Sequence, residues 1–476
     1  MNERPGELPP ITRDIDLTPM QRSRTRKSVA GSAIGNAIEW FDYGVYGYLV
    51  IYVSALFFDF GGDQGSAMPR ILAFATFAIS FLVRPLGGII LGPLGDRVGR
   101  RTVLMATILM ISVSTAAIGI LPTYETAGAW APLLLVLCRM VQGFSAGGEY
   151  AGAAVFMAEH APDNRRGFYG SFLEFGTLAG FSGAAILVTT LTLVVGEDGM
   201  MDGWWRLPFL LTLPLGLIAV WLRRSTDEPD TFTEDVAGAQ SGQAQTARAA
   251  LGSLLKNFPA QVLKLGGFVI LINVAFYLVL TYMPSYLSST LGHGAAEANF
   301  ALVIIQLIMM AVIVPFGALS DRIGRKPLLL VASLGFTVFS VPAIMLIQID
   351  TLWAQLAGIG LLGLFLVMVI SNISATLPAL FPTSVRYSGF AIGYNLSTAI
   401  FGGTAGAVNE TLIDATGNVL IPGWYLAAAG LIGFLSILTF NETAGRSLRG
   451  NVVPGSDDAL RRAQGEQLIG GKRRSS

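Results

Sequence analysis

Cysteine, histidine and charged side chains are all scarce in this chain of 476 residues. The single cysteine, Cys138, excludes an internal disulfide and a cysteine-based metal or cluster site. Asp, Glu, Lys and Arg make up 13% of the residues, against about 25% in average soluble proteins. Because Lys and Arg balance Asp and Glu at 31 each, the charge indicates no nucleic-acid or acidic partner. An ordinary soluble protein and a disordered chain are both excluded.

Long apolar segments take the place of the missing charge. Apolar residues make up 53% of the chain and fall into blocks of about 20 residues, the length that crosses a bilayer core. We therefore predict an all-α polytopic membrane protein in which twelve transmembrane helices form two six-helix bundles. The predicted spans lie near residues 29–57, 70–93, 102–121, 131–157, 167–195, 205–222, 264–288, 299–318, 327–348, 352–377, 386–411 and 422–440.

The segments outside the spans complete the predicted organisation. Residues 223–263, between the bundles at 29–222 and 264–440, are polar and partly low in complexity, which indicates a flexible linker. Placing this linker and both tails, 1–28 and 441–476, in the cytoplasm puts most Lys and Arg in cytoplasmic segments, as the positive-inside rule requires. The N-terminal tail lacks the apolar core and cleavage site of a signal peptide, so we expect it to remain uncleaved.

One short turn occurs twice. Residues 92–101 (GPLGDRVGRR) and 317–326 (GALSDRIGRK) align without a gap, each between the second and third predicted spans of its bundle. Parallel six-helix repeats are typical of one large transporter class. We expect Asp96 and Asp321 to cap the following helices, to accept hydrogen bonds from arginines and so to hold the cytoplasmic side shut. The alternative for each copy by itself is a plain positive-inside loop. The arginines assigned to this gate are Arg84, Arg97, Arg100, Arg322, Arg325 and Arg386.

Ionisable side chains inside the spans of the first bundle are the main functional candidates, because charge is costly there. On a helical wheel, Glu39 and Asp42 share one arc of the first span with Asn36, Tyr43 and Tyr46, which we interpret as a cavity-facing surface. Burial and mutual repulsion both favour the protonated form of a carboxyl group, so we expect the Glu39–Asp42 pair to couple transport to protons. The alternative is that the acids pair with arginines to hold helices together and that the tyrosines only pack.

The fourth and fifth spans carry three further charged candidates. Arg139 suits a substrate carboxylate as a bidentate partner, and a structural salt bridge to an acid of the first span is the alternative. Glu149 and Glu174 either relay a proton or latch the gate, and we favour the latch.

Neutral polar groups come from the second bundle. Asn273, Phe276 and Tyr277 recur at helical spacing in span 7 and indicate a stripe that faces the first bundle, although packing through small residues is the alternative. Aromatic faces attract ammonium cations, so such a site suits a zwitterion. The complete predicted substrate site contains Asn36, Trp40, Tyr43, Tyr46, Arg139, Asn273, Tyr277 and Tyr394.

These motifs together resemble a known family. The paired turns and the six-plus-six pattern resemble the major facilitator superfamily across all twelve spans. The segment GNAIEWFDYGVYG at 35–47 resembles the first span of the metabolite:proton symporters, and the whole set is most similar to their compatible-solute branch. Further matching segments are RPLGG at 84–88, QGFSAGGEYAG at 142–152, LTYMPSYL at 280–287 and LFPTSVRYS at 380–388.

The resemblance implies a multi-pass protein of a bacterial inner membrane that imports proline, glycine betaine and ectoine-like zwitterions as a monomer. It also implies the proton as coupling ion, with no cofactor and no metal. Osmosensing members of this branch have a long coiled-coil tail, whereas residues 441–476 lack sustained heptads, so we do not expect coiled-coil osmosensing. The alternative substrate is a mono- or dicarboxylate of the 2-oxoglutarate, citrate or shikimate type, although the excess of membrane acids over arginines disfavours polyanions.

Two other protein classes compete with a transporter. A membrane-embedded enzyme needs a nucleophile with a base or a metal cluster, and no such pattern is present in the sequence. A passive channel needs no carboxylate for coupling and rarely has a six-plus-six repeat. We therefore expect a transporter and not an enzyme.

Overall fold

The computed structural model describes residues 13–61, 66–98, 100–147, 149–225, 257–448 and 453–456, and within these ranges the secondary structure is entirely helical. Apart from short turns, the helices are α1 (Pro19–Phe58), α2 (Met68–Val98), α3 (Arg100–Ile118), α4 (Trp130–Ser145), α5 (Glu149–His160), α6 (Arg166–Gly199), α7 (Arg206–Ser225), α8 (Pro259–Tyr277), α9 (Ala295–Ile323), α10 (Arg325–Ile347), α11 (Leu352–Ile370), α12 (Arg386–Phe401), α13 (Thr404–Thr416) and α14 (Ile421–Leu438).

Every predicted span is largely helical, and the span at 264–288 continues beyond α8 through π-helical turns. Nine helical segments of the described chain are long and apolar enough to cross a membrane. The apolar parts of α3 and α7, Met105–Ile118 and Arg206–Trp221, are shorter, and the span predicted at 386–411 is divided between α12 and α13. The all-helical membrane fold is thus confirmed, while the number of twelve spans stays a prediction. Most of the predicted linker and tails lie outside the described residues.

Small residues allow the helices of the first half (α1 to α7) to pack closely. Helix α6 runs along α1, and a Cβ atom added to Gly176 or Gly180 would lie 2.2 or 2.3 Å from the carbonyl oxygens of Ala33 and Ala37. Any larger residue would therefore force these helices apart. Such contacts between small residues are a common basis of helix association in membranes.

Helices α2 and α6 of the first half also contact the second half (α8 to α14). Helix α6 packs along α9, and α12 and α13 pack on α2. Near the break between α12 and α13, a Cβ added to Gly403 would lie 2.5 Å from the Cα of Ala78 in α2. We call the end of the bundle where α1 begins and α14 ends the terminal end, and the opposite end the distal end.

The polypeptide widens from α-helix to π-helix directly after α8. Leu278–Tyr282 and Tyr286–Thr290 are π-helical and flank the short α-helical turn Met283–Ser285. Pi-helical turns are rare and frequently occur at functional sites. Here they follow Tyr277, the last residue of α8 and one of the predicted substrate-site residues.

Candidate substrate cavity

A narrow cavity lies between the two halves, and both contribute to its wall. The lining residues are Trp40, Tyr150, Glu174, Ile272, Asn273, Phe276, Tyr277, Ile373 and Tyr394. Five of the nine are aromatic, and Glu174 is the one acid or base among them. The first half supplies the carboxylate, and the second half supplies the amide of Asn273.

Trp40 forms one side of an aromatic cluster that crosses the boundary between the halves. Its ring centroid lies 5.2 Å from that of Phe276 and 6.4 Å from that of Tyr277. The indole Nε1 donates to Asn36 Oδ1 at 3.0 Å, and Asn36 Nδ2 in turn donates to Leu173 O at 2.8 Å. Asn36 therefore orients the tryptophan from behind, whereas Trp40 itself lines the cavity.

Glu174 is held by a tyrosine that also contacts the second half. Tyr150 Oη donates to Glu174 Oε1 at 2.5 Å, within the range of short hydrogen bonds to a carboxylate. The Tyr150 ring stacks on Tyr394 with a centroid separation of 4.8 Å and an angle of 23°. The carboxylate, the phenol and the ring from the opposite half thus form one connected group, which the sequence analysis did not combine.

The predicted cavity-facing arc of α1 is divided between two environments. Asp42 is buried, and its Oδ2 lies 3.3 Å from Thr115 Oγ1 in α3. Tyr46 donates to Ala73 O at 2.9 Å in α2, and Glu39 is half-buried. None of these three side chains is among the nine that line the cavity. The wheel identifies a polar face but cannot distinguish the interior of the first half from the space between the halves.

Arg139 belongs to a polar network inside the first half. Its Nη1 donates to Gln142 Oε1 at 2.6 Å and its Nη2 to Ser80 Oγ at 3.2 Å, while Gln142 Nε2 donates to Thr115 Oγ1 at 2.5 Å. The guanidinium carbon also lies 4.3 Å from the centroid of the Tyr46 ring. The side chain is fully buried, and it is not one of the residues that line the cavity.

At the terminal end, Asp321 connects the two halves. Its two carboxylate oxygens accept from the backbone N–H groups of Gly167 and Phe168, both at 2.8 Å, in the first turn of α6. The expectation that Asp321 caps the following helix is wrong, because Glu442 accepts from the first two amides of α10 instead. A carboxylate at a helix N-terminus is stabilised by the unpaired amides and the helix dipole, which explains the contact across the halves.

The two arginines assigned to the gate outside the paired turns have other neighbours. Arg386 pairs with Glu159 at 2.8 Å across the two halves, so its ion-pair partner is not a residue of the repeated turn. Arg84 lies deep in the first half, with its guanidinium carbon 4.2 Å from the centroid of the Phe81 ring. Helix neighbours decide these partners, and the spacing of the turns does not contain that information.

The remaining residues of the predicted gate and coupling set differ in how far they can be described. Arg325 lies 3.5 Å from Asp321, and Arg322 is exposed. The side chains of Asp96, Arg97, Arg100 and Glu149 lie outside the described part of the structure.

The distal end contains interhalf contacts that the sequence analysis missed. Arg70 Nε lies 3.1 Å from Glu410 Oε2, and Glu197 Oε1 accepts from the backbone N–H of Ala295 at 2.9 Å. The available signal was an acid, Glu410, near the end of a predicted span. The described residues thus include contacts between the halves at both ends of the protein.

Within the described residues, no group of three His, Cys, Asp or Glu side chains could hold a metal ion.

Asn273 lines the cavity, and its Nδ2 donates to Val269 O at 2.9 Å and to Thr398 Oγ1 at 3.1 Å. The chemistry that the cavity offers is therefore recognition of a solute by aromatic faces, an amide and one carboxylate.

Comparison with known proteins supports a transporter. Residues 33–408 match the Major Facilitator Superfamily profile. The chain is 39% identical over 446 residues to the proline/betaine transporter of Escherichia coli (strain K12), covering 93% of this chain and 88% of that one. It is 41% identical over 457 residues to the glycine betaine/proline/ectoine/pipecolic acid transporter OusA of Dickeya dadantii (strain 3937), covering 94% and 89%. A D-xylose–proton symporter structure shares the fold, with a TM-score of 0.67, 20% identity, and coverage of 88% of this chain and 98% of that one.

Proposed function

Because the chain belongs to the major facilitator superfamily, we propose that it imports zwitterionic compatible solutes, such as proline, glycine betaine and ectoine, together with protons. The observation that carries this proposal is the cavity between the halves, which combines five aromatic rings with the carboxylate of Glu174. The names of the relatives, which refer to proline and betaine, support the same solute class.

The chemistry of the cavity suits the cationic end of such solutes. A quaternary or secondary ammonium gains energy against the faces of Trp and Tyr rings, and the gain is larger where water is excluded. Trp40 and Tyr277 from opposite halves offer such faces, and Glu174 supplies the opposite charge. A dicarboxylate would meet this same carboxylate and be repelled, so the cavity favours zwitterions over citrate-like substrates.

Transport in this proposal proceeds by alternating access through twelve spans in the bacterial inner membrane, with both termini cytoplasmic and a single chain as the working unit. Opening toward the cytoplasm separates Asp321 from α6 and Arg386 from Glu159. Opening toward the outside separates Arg70 from Glu410. Each opening exposes the cavity to one side of the membrane while the contacts at the other end hold that side closed.

The proton is the coupling ion, and membrane carboxylates carry it. Asp42 lies within electrostatic range of Glu39, and a low-polarity environment favours the protonated form of either acid. We assign coupling to this pair and contact with the solute ammonium to Glu174. Because all three acids belong to the first half, one half of the protein holds both the coupling ion and the cationic end of the solute.

The test is uptake of labelled proline into proteoliposomes under an imposed proton gradient. We expect uphill accumulation that a protonophore abolishes and that glycine betaine and ectoine inhibit. Inhibition by 2-oxoglutarate, citrate or shikimate in place of the zwitterions would contradict the proposed solute class. Downhill uptake that is insensitive to the proton gradient would contradict proton coupling.

A further inference from the structure

A buried arginine with two unpaired guanidinium nitrogens lies beside the candidate cavity. Arg84 is 3% exposed, and its Nε and Nη2 groups have no hydrogen-bond partner among the described residues. A buried charge that is left without hydrogen bonds is costly, and most buried polar groups in proteins are paired. Two unpaired N–H groups of a charged side chain at this depth therefore call for a partner that binds during function.

One layer of aromatic rings separates Arg84 from the cavity. The guanidinium carbon lies 4.9 Å from the centroid of Tyr43 and 4.2 Å from that of Phe81. The ring centroid of Tyr43 lies 5.6 Å from that of Trp40, and the ring centroid of Phe81 lies 5.0 Å from that of Tyr277. Trp40 and Tyr277 both line the cavity. The guanidinium is thus one ring away from residues that line the cavity.

Phe81, one of the two rings that cover Arg84, packs on Tyr277 from the other half, so separation of the halves loosens this cover. Tyr43 and Phe81 are in the first half together with Arg84, whereas Tyr277 is in the second half. Movement of α8 away from α1 and α2 withdraws Tyr277 from Phe81 and widens the cavity toward the guanidinium. Glu39 is within electrostatic range of Arg84, but the Nε and Nη2 of Arg84 have no hydrogen-bond partner among the described residues.

Arg139 provides an internal comparison. It is also a buried arginine of the first half, but two of its nitrogens donate to Gln142 and Ser80. Its hydrogen-bonding capacity is thus largely used by the protein itself. Of the two arginines, Arg84 has two nitrogens without a hydrogen-bond partner, Nε and Nη2, and it also lies next to the cavity.

We propose that Arg84 is the residue that binds the carboxylate of the transported zwitterion, opposite the carboxylate of Glu174. This inference rests on the proposed function and refines it. The guanidinium presents two parallel N–H groups that match a carboxylate, and Glu174 with the aromatic rings takes the ammonium. A solute with both charges fills both positions, whereas a cation without a carboxylate leaves Arg84 unpaired.

The test compares two ligands that differ in the carboxylate. Purified protein in nanodiscs is used to measure binding of labelled glycine betaine and its displacement by unlabelled glycine betaine or by choline, which retains the trimethylammonium group. We expect Arg84→Gln to weaken glycine betaine about 10- to 100-fold, the usual effect of losing hydrogen bonds to a charged group. The affinity for choline should stay within about threefold, and Arg84→Lys should have an intermediate effect on glycine betaine.

Arg139→Gln is the matched control, and size-exclusion profiles show whether each variant is folded. Arg139→Gln should leave the ratio of the affinities for glycine betaine and choline unchanged. If Arg84→Gln or the milder Arg84→Lys weakens choline and glycine betaine equally, or weakens neither, Arg84 does not bind the carboxylate, and the proposed solute class is unaffected. If the unmodified protein binds neither proline nor glycine betaine, the proposed function itself fails.

Discussion

Arg70 Nε lies 3.1 Å from Glu410 Oε2 and joins the two halves of the protein at the distal end. Glu410 is almost fully buried, whereas the arginine side chain is 23% exposed. At the terminal end the corresponding link is Asp321 on the first turn of α6. Contacts thus join the halves at both ends, and the proposed alternating access requires them to break in turn.

Breaking the distal ion pair should favour opening at that end. We expect Glu410→Gln to increase the distance between spin labels at Asp59 and Ala415, two exposed positions near this end, because Arg70 then loses the charge that attracts it to the other half. The labels are introduced by Asp59→Cys and Ala415→Cys with Cys138→Ser. Exchanging the charges, as Arg70→Glu with Glu410→Arg, should shorten the distance again. An unchanged distance distribution in Glu410→Gln would remove the pair from the gating mechanism.

Asp321→Asn should destabilise closure at the terminal end and slow transport. Hydrogen bonds to a charged group contribute about 1.5–3 kcal/mol each, so the neutral amide should shift the population toward the state that is open at this end by about tenfold or more. The measurement is the distance between spin labels at the exposed positions Asn164 and Ile323. Arg322, the exposed neighbour of Asp321, provides the control. Arg322→Gln should change neither the distance between the spin labels nor the transport rate.

Neutralising the coupling pair should separate accumulation from exchange. With Glu39→Gln or Asp42→Asn, we expect proton-driven accumulation of proline to be lost while exchange of labelled for unlabelled proline without a gradient continues. Glu174→Gln should instead weaken solute binding, because this acid lines the cavity. If both variants of the pair still concentrate proline, the coupling site is elsewhere, and Glu149 and Glu174 become the candidates.

Close backbone contacts predict which glycines are essential for folding. A Cβ on Gly143 would lie 1.8 Å from Ser80 O, whereas a Cβ on Gly183 would meet only the Phe41 ring at 3.5 Å, an ordinary contact. Gly143→Ala must push α4 away from α2 and should cost about 1–3 kcal/mol, the usual range for overpacking. Thermal unfolding in detergent should show a lower midpoint for Gly143→Ala than for Gly183→Ala. Equal midpoints would mean that α2 and α4 separate without penalty.

Membrane orientation can be tested with single cysteines in a Cys138→Ser background. The distribution of Lys and Arg predicts that Ser241 lies in the cytoplasm and that Asp198, near the distal end of α6, lies outside. In intact cells an impermeant thiol reagent should label Asp198→Cys and should reach Ser241→Cys only after the membrane is made permeable. The opposite pattern would invert the proposed topology.

Much of the fold and part of the site could be predicted from the sequence. The family resemblance drawn from the repeated turn and the first-span motif is confirmed by the profile match over residues 33–408. Trp40, Asn273, Tyr277 and Tyr394 were predicted as substrate-site residues, and the structure places all four in the lining of one cavity. Their contact with a solute stays a prediction.

The partners of the charged residues were harder to predict. A helical wheel gives the direction of a side chain relative to its own helix, but helices such as α1, α2 and α6 have neighbours in both halves. The sequence therefore could not show that Asp42 faces Thr115 or that Arg386 meets Glu159. Arg139 and Arg84 are both buried arginines on apolar helices, and only their neighbours show that Arg139 has one unpaired nitrogen and Arg84 has two.

The sequence by itself determined the properties that depend on local composition and periodicity. These are the helical membrane fold, the repeated halves and the presence of ionisable groups inside the first half, because the bilayer requires long apolar helices with internally paired backbones. Only the tertiary structure decided which groups meet. Arg70 and Glu410 are far apart in sequence, and their contact depends on how two separate helix bundles pack, which no local pattern encodes. The cavity exists for the same reason, since its wall is formed by side chains from both halves.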